Sequence, residues 1–282
     1  LPIVDVCAII GRKEAALIMT LLIVPIGTAG AGKSTAANIF CELLDKRGLR
    51  VTQAAFATPI KRFCRGVFGF SFENVYGPSS AREEEMPTYL NMEAWESARE
   101  YLKVCGSAFV GECWPDATPE FWLRARRELD HWFNELMAEV PWSWEMVDCR
   151  RQLQRQRGLS ARRALQTLGT EWGRALDADV WINCLKRQVA DSDFDVIVLS
   201  DARFFNEAEK SRGFPLLIRR PGLVSTTPSH ASEKDQQTPE MLDFCSRNGA
   251  VIDNLGSLED LRQSLMPIAD RVMDSCVDCV GC

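Results

Sequence analysis

The stretch Gly27-Thr28-Ala29-Gly30-Ala31-Gly32-Lys33-Ser34-Thr35 has the residue types and spacing for phosphate chemistry. It fits the pattern G-x-x-x-x-G-K-[ST] at every fixed position. Glycines allow successive backbone N–H groups to turn inward around phosphate oxygens, and a helix N-terminus adds partial positive charge. Lys33 is expected to reach the β- and γ-phosphates, and the Ser34 hydroxyl to ligate Mg²⁺. A glycine-rich turn that binds nothing is the alternative. Binding of a nucleoside triphosphate with Mg²⁺ is the reading that uses every fixed residue.

Such a loop works only between a strand and a helix. Leu21–Ile26 reads as a short buried strand. Ala36, Ile39, Phe40, Leu43 and Leu44 recur at helical spacing until Gly48 supplies a stop. Residues 50–56 read as a second strand. Thr58-Pro59 then looks like an N-cap followed by proline at the first helical position, opening a helix that carries Lys61 and Arg62 and ends near Gly66. Downstream, Asp195–Leu199 is a continuous apolar run into Ser200-Asp201, as in a buried parallel strand. A helix at 204–212, strands at 214–219 and 250–252, and a helix at 258–273 capped by Ser257 complete the pattern. Alternating strands and helices predict a three-layer α/β fold with a mostly parallel sheet. Ligands in such sheets bind beyond the carboxyl ends of the strands, which puts the loop, Asp201 and the segment after Phe56 along one edge.

Residues 70–158 break this pattern and read as a helical insertion, forming an acceptor-binding and lid region. In residues 119–139, Trp122, Ala125, Leu129, Trp132, Phe133 and Leu136 make one apolar stripe, read as core, with His131 structural beside it. Residues 150–163 (RRQLQRQRGLSARR) are arginine-rich and lack acids. A solvated helix face, a lid closing on phosphates and a grip on a nucleic-acid backbone are the three readings. Gly158 and Ser160 interrupt the run ahead of a helix at 161–168. The core is thus expected in residues 19–69 and 159–273, after an appendage at 1–18 and before a Cys-containing tail at 274–282.

The 282-residue chain is 46% hydrophobic, ordinary for a globular protein, and its net charge of −6 argues against a protein that coats nucleic acid. No apolar run is long enough to span a membrane, and Arg12, Lys13 and Glu14 follow the first apolar run in the wrong order for a secretory signal. The 11 cysteines are scattered, so reduced thiols and a cytoplasmic location are expected. Cys276, Cys279 and Cys282 lack a fourth metal ligand and read as a frayed tail. A homodimer is the default expectation for a soluble enzyme.

In five stretches the chain resembles the deoxynucleoside monophosphate kinases of T-even-type and related bacteriophages. They are Gly27–Ala37, Phe56-Ala57-Thr58-Pro59-Ile60-Lys61, Arg162–Thr170 (RRALQTLGT), Asp201-Ala202-Arg203 with Glu207, and Arg220-Pro221-Gly222. His230–Glu233 and Asn254–Glu259 are weaker echoes. The resemblance implies a P-loop NMP-kinase-like fold and transfer of the ATP γ-phosphate to a deoxynucleoside 5′-monophosphate (dNMP), in the cytoplasm of a phage-infected bacterium. By position it implies that Lys33 and the loop backbone hold ATP, and that Arg82, after Tyr76-Gly77, holds the acceptor phosphate. Arg162 and Arg163 are lid candidates, while Asp201 and Arg203 lie near Mg²⁺ and phosphate. Lys61, Gln166, Trp172 and Glu207 are candidates on the substrate side, Gln166 and Trp172 having packing as the alternative. The family's T-even member has a basic residue where Ala29 stands and an acid where Ser34 stands; Ser34 restores the ordinary Mg²⁺ arrangement. Two rival functions remain open: phosphorylation of a modified base or hydroxymethyl group in DNA, and a nucleotide-dependent binding module.

Overall fold

The computed structural model describes residues 20–28, 30–86, 89–104, 107–138, 142–147, 150–155, 159–190, 192–222 and 238–280. The expected appendage at 1–18, Ala29, the 230–233 echo and Cys282 lie outside the described residues. The chain forms two compact units, one made of residues up to Phe56 and from Gln188 onward, the other of Ala57–Arg187.

The first unit is built on five strands rich in branched aliphatic residues: β1 (Leu21–Ile26), β2 (Val51–Ala54), β3 (Val196–Leu199), β4 (Phe214–Arg219) and β5 (Ala250–Asp253). All pairs are parallel, in the order β5-β4-β1-β3-β2. β1 and β3 are buried along their whole length because neighbours flank both edges and helices cover the sheet. Helix α1 (Lys33–Asp45) buries Ala36, Ile39, Phe40, Leu43 and Leu44 against β1, β3 and β4. The C-terminal helix Leu258–Val280 adds Leu261, Leu265, Ile268 and Val272 to the same core. Each fully buried aliphatic or Phe side chain contributes about 1.5–3 kcal/mol. Arg262 to Glu42 (2.7 Å) and Arg47 to Asp270 join these two helices at their exposed edges. The C-terminal helix runs through Val280, so the expected frayed tail is helical in backbone.

The second unit holds an aromatic core. Phe63 lies 4.8 Å from Phe109 and 5.9 Å from Trp132, and Trp95 stacks on Phe133. The helix Thr58–Phe68 starts one residue earlier than the capping pattern predicts, with Ala57 at the N-cap, and Gly69 ends it at φ +67°. The helix Pro119–Ala138 buries most of the predicted stripe, whereas His131 is exposed and pairs with Glu135 at 3.4 Å. The helical insertion expected at 70–158 also contains an antiparallel pair, Trp142–Val147 with Arg150–Arg155, to which Tyr89–Leu90 adds. The first half of the arginine run is therefore a strand. Trp142, Trp144 and Met146 alternate with Ser143 and Glu145, a period of two that favours strand over helix.

The expectation of reduced thiols is corrected at one pair. Cys113 and Cys184, 71 residues apart, form a disulfide with Cα atoms 5.1 Å apart. Burial pushes the Cys64 thiol far up and the Cys245 thiol up to about 12, so neither is a thiolate at neutral pH.

Candidate functional site

The strand order reverses direction about β1: the chain leaves β1 for the edge strand β2, returns to β3, and then crosses to β4 and β5. The crevice beyond the carboxyl ends at such a point is where open parallel sheets bind ligands. The glycine-rich segment occupies it. Gly27 (φ +152°) leaves β1 so close to β4 that a Cβ would lie 2.2 Å from the Ile218 carbonyl oxygen. Gly32 (φ +100°) is the N-cap of α1. That cap has no side-chain hydrogen bond, and the first turn holds no acid. Helical geometry leaves the leading N–H groups without intrahelical acceptors, so they are available to an anion.

Lys33 Nζ donates to the carbonyl oxygens of Gly27 and Thr28, the second at 2.9 Å. Its ammonium therefore lies over the loop, the position from which it can meet a phosphate. Ser34 is exposed on the first helical turn and Thr35 is half-buried.

Asp201 lies two residues beyond β3, on the strand adjoining β1, and is half-buried. Its Oδ1 accepts from Phe56 N–H at 2.8 Å, and Ser200 N–H donates to Ala54 O at 3.0 Å, so the ends of β2 and β3 are tied together. Glu207 is 4% exposed and accepts from the backbone N–H groups of Arg203 (2.8 Å) and Phe204 (3.1 Å). Its carboxylate thus caps the helix Phe205–Lys210 and fixes the turn that presents Asp201 and the exposed Arg203. The residues present fit ATP and Mg²⁺: inward-capable amides at an uncapped helix start, a lysine over the loop, and a hydroxyl in the first turn. No cluster of three or more His, Cys, Asp or Glu side chains suited to a metal occurs among the described residues. Mg²⁺ bound largely through phosphate and water needs none.

The second unit groups the remaining candidates. Arg162 lies in the helix Ala161–Thr167, capped by Ser160 Oγ, which accepts from Arg163 N–H at 3.3 Å. Arg162 pairs with Glu83 at 3.0 Å, and Glu85 and Met86 pair antiparallel with Ser160 and Leu159. These contacts bring the short helix Ser79–Glu83, with Arg82, against the arginine pair. Arg82 Nη2 donates to Ser79 Oγ at 3.4 Å. Lys61 lies 4.5 Å from the centroid of the Tyr76 ring. Gln166 is half-buried, and its backbone carbonyl accepts from the Thr170 hydroxyl at 2.7 Å.

Trp172 is fully buried in the π-helical segment Leu168–Arg174. Its indole N–H donates to Ala125 O at 3.0 Å, and Phe109 stacks on it at 5.3 Å. A ring so enclosed packs the core, the alternative its sequence context allowed. No helix among the described residues is long and apolar enough to cross a membrane.

These features define an α/β protein with a parallel five-stranded sheet, compatible with a P-loop-kinase-like fold. No family model matches the chain. Over 72 residues it is 39% identical to the deoxynucleoside-5′-monophosphate kinase of Escherichia phage T5. The match covers 25% of this chain and 29% of that kinase, so it spans less than a third of the relative.

Proposed function

We propose that this chain has a P-loop NMP-kinase-like fold and transfers the γ-phosphate of ATP to a dNMP. The observation that carries the reading is the glycine-rich loop at the sheet's reversal point, with Lys33 folded over it. The similarity to the phage T5 kinase supports the choice of acceptor class.

In this reading the loop amides from Gly27 to Thr35 and the Lys33 ammonium bind the triphosphate. Ser34 and Asp201 hold Mg²⁺, which when bound neutralises phosphate charge. Phosphoryl transfer asks the protein for positioning and positive charge rather than covalent chemistry. Arg82 and Lys61 supply that charge to the acceptor phosphate, and Arg162 and Arg163 to the migrating group. Glu207 acts indirectly, by fixing the Asp201–Arg203 turn.

ADP formation from Mg·ATP with each dNMP in turn, Lys33→Ala serving as blank, tests the proposal. Turnover with one or more dNMPs, lost in the variant, is expected. ATP binding without turnover on any of them refutes it.

A further inference from the structure

We propose that Asn254 is a positioning residue that holds the glycine-rich loop in its anion-binding shape; this rests on reading that loop as a triphosphate site. Asn254 directly follows β5. Its backbone N–H donates to Arg219 O at 2.7 Å, extending the β4–β5 ladder by one residue. Arg219 and Asp253 are cross-strand partners, joined by two hydrogen bonds of 2.7 and 2.8 Å. The two strand ends thus form a firm base for the next side chain.

From that base the Asn254 amide reaches across 223 residues of sequence to the loop. Its Nδ2 donates to Ala31 O at 2.9 Å, and a Cβ on Gly32 would lie only 2.6 Å from the same nitrogen. The amide is therefore packed against the peptide that joins Ala31 to Gly32. That peptide is planar, with its C=O and N–H pointing in opposite directions. Anchoring the carbonyl to Asn254 turns the Gly32 N–H the other way and prevents the carbonyl oxygen from swinging toward a bound anion. Asparagine suits this position because it donates a hydrogen bond without charge. An aspartate at this place offers no donor when ionised and sets a second negative oxygen against the carbonyl.

The test is titration of the full chain with a fluorescently labelled Mg·ATP, comparing wild type, Asn254→Ala and Asn254→Asp, alongside melting of the nucleotide-free proteins. Loss of one neutral hydrogen bond to the loop should weaken binding about tenfold in Asn254→Ala. Asn254→Asp should bind more weakly still at neutral pH and recover toward the alanine level as pH falls through the carboxylate range, with dNMP affinity unchanged in both and melting midpoints lowered by no more than about 6 °C, the cost of one hydrogen bond. Wild-type affinity in both variants overturns the inference and leaves the triphosphate reading standing. Weakening that merely tracks a larger fall in melting midpoint also overturns it, because a structural turn residue would do the same. Absence of nucleotide binding by wild type removes the triphosphate reading and the inference with it.

Discussion

Replacing Trp172 separates packing from substrate contact. The ring is fully buried, stacks on Phe109 at 5.3 Å and lies 6.5 Å from Trp181, and its N–H bonds to Ala125 O at 3.0 Å. Trp172→Phe keeps an aromatic face for Phe109 but leaves a buried carbonyl with one bond fewer, at a cost of about 1–3 kcal/mol. Trp172→Ala also opens a cavity, and buried Trp-to-Ala changes cost about 3–5 kcal/mol. At about 2–4 °C per kcal/mol, the phenylalanine variant should melt about 2–12 °C lower and the alanine variant about 6–20 °C lower. Thermal unfolding followed by circular dichroism reads both shifts. Steady-state kinetics of Trp172→Phe should show an unchanged KM for the monophosphate. A variant that melts like wild type but whose acceptor KM rises tenfold would refute the packing account.

Two further perturbations follow from the fold. Reducing the Cys113–Cys184 bond frees a 71-residue loop in the unfolded chain, which should lower stability by about 2–4 kcal/mol; melting with and without reductant, with Cys113→Ser as control, checks this. Asp195 is held below the usual carboxylate range by its hydrogen bonds from Arg50, at 2.7 and 2.8 Å. A depressed folded value means that the pair's contribution is present above the unfolded value of about 3.9 and is lost as pH falls through the folded one. Asp195→Asn should therefore lower stability at neutral pH and flatten the acid limb below about pH 4 in urea titrations.

The elements of the first unit were legible because each obeys a local rule. Continuous apolar runs mark β1, β3 and β4, and the i, i+3, i+4 spacing of Ala36, Ile39, Phe40 and Leu43 marks α1. The strand order was not legible, since nothing local to β4 says that it lies beside β1 rather than β3. The pair at Trp142–Arg155 was missed because the period of two is confined to the six residues Trp142–Val147, and the partner strand Arg150–Arg155 (RRQLQR) carries no such alternation. The Cys113–Cys184 bond joins residues whose partnership only the tertiary fold decides. In the candidate site, the glycines could be placed from sequence because the pattern needs them between a strand and a helix, and Gly27 and Gly32 stand between β1 and α1. Asn254 gave only a weak echo: its role comes from a 2.9 Å contact with a segment 223 residues away. Glu207 was visible as a residue but not as a cap, because the bonds that make it one come from the backbone N–H groups of Arg203 and Phe204, which no side-chain pattern announces.

The most direct test of phosphoryl transfer to a monophosphate follows the phosphorus itself. With ATP labelled at the γ-phosphate, Mg²⁺ and the preferred dNMP, label should appear in the deoxynucleoside diphosphate, little should appear as inorganic phosphate, and neither should form with Lys33→Ala. Label released only as inorganic phosphate, with no labelled diphosphate from any dNMP, would contradict the account.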